Sequence, residues 1–351
     1  MKSLYLASNA PSSGKTVIAL GLALKLKEKG YSVGYLKPSG RLPESKNNEL
    51  YDDDSVFIND VLDLQEPLET VSPFVFNTKT WNDLLGGAPI DARKRILTAH
   101  QTLMNKDFVL LGGGIDIFDG TTSDIGILDL LDEMDAKALI VDQWRGMVTI
   151  DTLLGSARLL GERCLGGIIN KVPESLLRYV KEPIKIFLEG RGVKVFGVFP
   201  KDRLLESITV GNLLEVLNGE ILCCERGLEE FVENFLIGAM DADSAIKHFK
   251  RVPNKAVITG AHRSDIQLAA LETSTKCIIL TGGLKTSDMI LGQAISRGIP
   301  VISVMEDTFT TVDKIESALK RISIREKGKV IRAKELIDRE FDLEGLLASI
   351  A

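Results

Sequence analysis

Short apolar runs recur along the chain, each followed by a stretch whose apolar positions repeat at helical spacing. Residues 4–8, 31–36, 108–111, 138–141, 165–170 and 193–200 read as strands. Helices are expected over 17–26, 56–62, 129–132, 150–160 and 175–189. A further helix is capped by Asp91 and carries Ala92, Ile96, Leu97 and Leu103 on one face. Residues 41–49 read as a polar surface loop, and residues 67–90, with Pro67, Pro73 and Pro89, as irregular. Apolar strands alternating with helices predict an α/β fold, a parallel sheet covered by helices on both faces.

A boundary is expected near Asn218-Gly219-Glu220, dividing the chain into domains 1–217 and 218–351. The second, smaller α/β series predicts helices at 227–237, 244–249, 264–271 and 287–296, and one ending near Arg321. Its strands are expected at 256–260, 277–281 and 301–304. A charged tail, 322–351, ends in an apolar helix at 343–350 expected to dock back on the fold.

Between the first strand and first helix lies Asn9-Ala10-Pro11-Ser12-Ser13-Gly14-Lys15-Thr16. Free N–H groups at a helix N-terminus, together with the helix dipole, favour phosphate there. In such a loop the Lys15 ammonium reaches β/γ-phosphates and the Thr16 hydroxyl meets Mg²⁺. The full pattern asks for glycine where Asn9 stands. Asn9, Ser12, Ser13, Gly14, Lys15, Thr16 and Val17 form the candidate nucleotide-contact set.

Composition narrows the field. With 351 residues, 44% hydrophobic and 26% charged, the chain has ample core for two ordinary domains. Its net charge of −6 argues against nucleic acid or an anionic membrane as main partner. No run approaches the ~20 apolar residues of a membrane span, and Met1-Lys2-Ser3 leads straight into a strand without a signal peptide. Cys164, Cys223, Cys224 and Cys277 lack metal-site spacing and read as thiols in a reducing compartment, so a cytoplasmic location is expected.

Outside the loop, Lys37 follows a strand directly and either faces the ligand crevice as a point charge or sits solvated before a turn. Asp52 and Asp54 suit a metal that takes one or two carboxylates, or simply enrich a helix start in acid. Where a P-loop enzyme offers an acid at a strand end, this chain has Gly112-Gly113-Gly114, with Asp116, Asp119 and Asp124 nearby. His100, His248 and His262 have no partners at catalytic spacing. Gly282-Gly283 and Asp307-Thr308 line a small-ligand site or form tight turns.

Residues 8–16, the run Gly34-Tyr35-Leu36-Lys37-Pro38-Ser39-Gly40 and the segment 166–173 resemble the dethiobiotin synthetase and cobyrinic acid diamide synthase group of P-loop proteins. Residues 197–205 and Thr209-Val210-Gly211 are similar to the amino-terminal half of long phosphotransacetylases. Residues 256–267, 279–283 and 307–312 resemble a DRTGG domain, with His262 where its usual signature has aspartate. The resemblance implies ATP and Mg²⁺ as cofactors. It implies Lys15 and Thr16 on phosphate and metal, Lys37 on substrate carboxylate or phosphate, Asp54 on Mg²⁺ and Asn170 on the adenine edge. It also implies a homodimer.

Three readings follow, the last of them a scaffold whose nucleotide site is vestigial, suggested by Asn9 and Gly112. The first is an ATP–Mg²⁺-binding regulatory or sensory protein, suggested by an intact Gly14-Lys15-Thr16 beside the acid lost at Gly112. The alternative is an ATP-dependent ligase or amidase-like enzyme on a small carboxylate or amine, with Lys15 and Lys37 as catalytic groups. Because the acetyltransferase domain of the relatives would follow residue 351, acetyl transfer is not expected of this chain.

Overall fold

The computed structural model describes residues 1–46, 49–320 and 326–350. Parts of the expected loop at 41–49, of the helix ending near Arg321 and of the charged tail lie outside the described residues. The chain forms two compact units, Met1–Lys201 with Ile324–Ala351, and Asp202–Ser323.

The first unit opens with β1 (Lys2–Ala7), α1 (Lys15–Glu28) and β2 (Val33–Leu36). Next come the antiparallel hairpin β3 (Pro43–Lys46) and β4 (Glu49–Asp52), and helices α2 (Asp53–Val61), α3 (Leu68–Val71), α4 (Thr78–Leu85) and α5 (Ala92–Thr102). The chain then alternates through β5 (Phe108–Gly112), α6 (Ile127–Glu133), β6 (Ala136–Gln143), α7 (Met147–Leu160) and β7 (Cys164–Val172). Helices α8 (Leu177–Tyr179) and α9 (Lys185–Glu189) flank a π-helical stretch holding Pro183, and β8 (Val195–Pro200) closes the series. Proline cannot donate the interior helical bond, which accounts for the break in the single helix expected over 175–189.

The six strands form one parallel sheet, in the order β2-β5-β1-β6-β7-β8. One face packs Tyr5, Ala7, Val109 and Leu111 against Ala92, Ile96, Ala99 and Leu103 of the α5 region. Alternate residues Leu4, Leu6 and Leu110 are equally buried and face α1 on the other side. The expected α/β architecture with helices on both faces is present.

Helix α1 is apolar around its whole circumference, burying Ile18, Ala19, Leu20, Gly21, Leu22, Ala23 and Leu26. A helix of that kind needs cover on the side away from its sheet. The cover comes from α15 (Lys327–Glu340), followed by α16 (Leu343–Ser349). A Cβ on Gly21 would lie 2.8 Å from the Ala333 carbonyl oxygen, so glycine permits the close approach. Lys25 pairs with Asp338 and Lys334 with Glu28, and the Asp342 amide donates to the Phe196 carbonyl at 2.7 Å on the edge of β8. The C-terminal helices thus belong to the first unit, not with residues 218–320 as the sequence had suggested.

The second unit contains β9 (Ile208–Thr209), α10 (Val210–Val216), β10 (Glu220–Cys223), β11 (Phe231–Val232), β12 (Asn234–Ile237) and α11 (Ala242–Phe249). It continues through β13 (Lys255–Gly260), α12 (Ser264–Leu271), β14 (Thr275–Thr281), α13 (Asp288–Arg297), β15 (Val301–Ser303) and α14 (Thr308–Lys320). Its sheet runs β10-β15-β14-β13-β12, with β10 antiparallel. Residues 227–237 are not the helix their glutamates suggested. Phe231-Val232 pairs with β9, and Asn234–Ile237 lies parallel to β13. Strand-favouring residues and an available sheet edge outweigh helix propensity there. The polar stretch at 43–52 likewise forms a hairpin, and Asp91 precedes α5 without making a capping hydrogen bond.

Gly21→Ala should destabilise the first unit by about 1–3 kcal/mol through overpacking against α15. Gly292→Ala in α13, where an added methyl meets nothing within 4 Å, should be neutral or stabilising by up to about 1 kcal/mol. Urea unfolding of the two variants beside the wild type makes the comparison; equal midpoints would remove the packing argument.

Candidate functional site

The loop between β1 and α1 is shaped by its own backbone. Gly14 adopts φ 95°, a left-handed conformation suited to glycine, and immediately precedes α1. Ser12 is also left-handed at φ 55°. Ser13 is fully buried and donates to the Ala10 carbonyl at 2.8 Å, so its hydroxyl holds the loop. Asn170, at the end of β7, donates to the Ser13 carbonyl at 2.9 Å, and a Cβ on Gly14 would overlap its amide. In this structure Asn170 braces the loop. Val17 lies half-buried in the first turn of α1.

Asn9, at the glycine position of the pattern, is tied into a network that includes Asp142. Its amide donates to Asp142 Oδ2 at 3.0 Å, and Ser156 donates to its carbonyl oxygen. Asp142, wholly buried at the end of β6, also accepts from Thr152 at 2.8 Å and pairs with Arg145 at 3.3 Å. The sequence offered a signal for it, since it is the acid that directly follows Ala138-Leu139-Ile140-Val141. Its place in the network depends on Asn9, Thr152 and Arg145, which local spacing does not bring together.

Lys15 Nζ reaches the Ser8 hydroxyl at 2.5 Å and the Ile115 carbonyl at 3.2 Å. Burial, and then the charge of Lys37, push its pKa down to about 8 against the pull of Asp119, Asp116 and Asp142. The Thr16 hydroxyl donates to Asp54 at 3.2 Å. Lys37 is buried beside β2, 2.8 Å from Asp52 and 3.6 Å from Asp54. Burial alone would lower Lys37, but Asp52 and Asp54 outweigh it and hold its pKa above the usual value.

The two candidate acids differ. Asp52 has no exposure, and its carboxylate accepts from Lys37 and from the amides of Arg41 (2.9 Å), Leu42 (3.1 Å) and Ser55 (3.4 Å). Those bonds hold the hairpin and cap α2, which occupies its lone pairs. Asp54 is partly exposed and faces Thr16. Of the pair, Asp54 keeps the more accessible carboxylate.

The Gly112 position has a neighbour the sequence gave no sign of. A Cβ there would overlap the Tyr35 hydroxyl, which comes from the adjacent strand β2. Tyr35 is 2% exposed, and burial, then Asp54 and Asp52, hold its phenol well above the ordinary pKa. Beyond Gly112, Asp119 accepts from the Ile115 amide at 2.9 Å and pairs with Arg41. The Arg41 guanidinium lies 3.7 Å from the Phe76 ring centroid. Asp119 is thereby committed to closing the loop, and Asp116 receives the Phe118 amide at 2.8 Å. Asp124 sits in a left-handed turn.

Other candidate residues have structural places. His100 is buried on Ser3 at 2.8 Å. The four cysteines are free thiols. In the second unit Asp307 accepts from the Phe309 and Thr310 amides at the start of α14, and Gly282 and Gly283 take positive φ. Both segments are turns in this structure. Among the described residues no helix is long and apolar enough to cross a membrane.

A parallel sheet whose first strand runs through a Gly-Lys-Thr turn into a buried helix defines the P-loop class of α/β proteins. The chain belongs to the AAA domain family AAA_26, whose profile matches residues 2–209, and a DRTGG domain matches residues 212–318. A phosphate acetyltransferase of Synechocystis is 23% identical over 98% of this chain and 51% of its own length. That of Pseudomonas aeruginosa is 22% identical over 99% of this chain and 52% of its own. The ATP-dependent dethiobiotin synthetase BioD of Clostridium kluyveri is 28% identical over 50% of this chain and 76% of its own. The chain thus spans about half the length of the phosphate acetyltransferases it matches. The P-loop and DRTGG resemblances read from the sequence hold.

Lys37→Met should cost about 3–5 kcal/mol of stability by leaving Asp52 buried without its cation. Thermal unfolding at neutral pH measures it, and a loss below about 1 kcal/mol would mean the pair is not structurally important.

Proposed function

We propose that the first unit binds ATP–Mg²⁺ and that the chain acts as a regulatory or sensory protein, of the kind formed by the amino-terminal part of phosphotransacetylases. The observation that carries the reading is the convergence of two ammonium groups, Lys15 and Lys37, with the Thr16–Asp54 pair beside the helix N-terminus. The Lys15 ammonium, which has no carboxylate partner among the described residues, and the free amides favour a polyphosphate there, while Lys37 is held by Asp52 and Asp54. The site fits a magnesium ion that brings most of its ligands with it: Thr16 and Asp54 would hold it, and phosphate oxygens and water would complete its shell. Bound magnesium would neutralise phosphate charge. Lys15 would face the phosphates, and Asn9, Ser12, Ser13, Gly14 and Val17 would supply loop contacts. Asn170 would exchange its bond to Ser13 for the base, or keep it and hold the loop. Binding without turnover is favoured because the end of β5 offers Gly112 in place of an acid. The second unit would carry the signal or a homodimer contact.

The ligase reading keeps one observation, Lys37 beside Asp54. Release of ADP stimulated by a small carboxylate or amine from a screened panel would replace the regulatory reading with it.

Titration calorimetry with Mg–ATP should give binding by the wild type and none by Lys15→Ala; a silent wild type refutes the proposal. Empty Lys15, with its pKa near 8, is mostly uncharged at pH 9, whereas bound phosphate would restore its proton. Affinity should therefore fall about tenfold between pH 7 and pH 9, with proton uptake on binding at the higher pH. A flat profile would mean that Lys15 does not meet the phosphates.

A further inference from the structure

A phenol that meets no protein acceptor has only water or a ligand left to receive its hydrogen bond. Tyr35 is 2% exposed as a residue, no hydrogen bond from another described residue reaches its hydroxyl, and that oxygen is not fully sealed from water. The ring is held by β2, whose Tyr35 stands opposite Leu110 of β5, and the oxygen ends in the space left by the missing side chain of Gly112. Asp54 is the carboxylate exerting the strongest charge effect on it, and the same carboxylate accepts from Thr16 and approaches Lys37. The unpartnered hydroxyl and the cluster that includes Lys37 therefore share one corner of the crevice. Gly112 is what admits it, since any side chain there would meet the phenol.

We propose that the Tyr35 hydroxyl is a ligand-contacting group of this crevice, donating its proton to an oxygen of the bound metal–polyphosphate. The inference rests on the ATP–Mg²⁺ reading of the site and adds a specific residue to it. A neutral phenol is an O–H donor that brings no charge of its own. It would hold a ligand oxygen without adding a second free carboxylate to the metal. Tyr35 and Gly112 act as one unit: the small residue clears the space and the large one delivers the donor.

Two variants test this in the full chain, with Mg–ATP as the probe. Tyr35→Phe removes only the oxygen. It should bind Mg–ATP about tenfold more weakly, while the ligand-free protein keeps its melting temperature, because the hydroxyl makes no hydrogen bond to the protein. Gly112→Ala should displace the phenol and weaken binding by a similar factor, with Tyr35→Phe/Gly112→Ala little worse than either alone. A structural role gives the opposite pattern: Tyr35→Phe lowers the melting temperature of the ligand-free protein and leaves affinity unchanged, and that result overturns the proposal. If wild type binds and both variants bind equally well, this inference fails while the ATP–Mg²⁺ reading stands. If wild type does not bind Mg–ATP at all, both fail.

Discussion

An α-helix with no polar face cannot lie on a sheet with its other side in water. The requirement of α1 for a second cover organises the first unit, because the cover is supplied by residues far along the chain. Gly21 lets α15 approach to backbone contact distance, and the charged rims of the two helices pair across the seam. The loop that α1 begins inherits this rigidity. Its free N–H groups are fixed in direction because the helix behind them is clamped on both sides.

Charge in the crevice divides into a structural part and a part left over. Asp52 consumes its lone pairs on the hairpin and on Lys37, so the hairpin at 43–52 and the β2 lysine are locked together. Asp119 does the same for the loop beyond β5 by way of Arg41. What remains is Lys15, held near the edge of its charged range, and the Asp54–Thr16 pair. Such leftover charge is what a polyphosphate with its cation would neutralise.

The strand, loop and helix that open the chain were legible because Gly14, Lys15 and Thr16 are neighbours, and local spacing is what a sequence displays most directly. Parallel strands were legible from their apolar runs. The strand at 234–237 was not, because its character is decided by pairing with β13 rather than by the glutamates that precede it. The distinction between Asp52 and Asp54 could not be read either, since it depends on which carboxylate the hairpin amides reach. Tyr35 left no trace at all: its interest lies in the absence of a partner, a property that exists only once the neighbours are in place. The position of α15 did leave a clue in the all-round apolarity of residues 17–26.

The chain leaves the first unit at Lys201 and returns to it at Ile324, so the second unit is inserted into the first rather than appended to it. During synthesis the helix that covers α1 therefore emerges only after the whole inserted unit has been made. Until then the outer face of α1 is open, a temporary apolar surface for a chaperone or for misassembly. The P-loop unit reaches its finished form only in a chain that already carries its second unit. In this way the order of translation makes completion of the first unit depend on prior synthesis of the second.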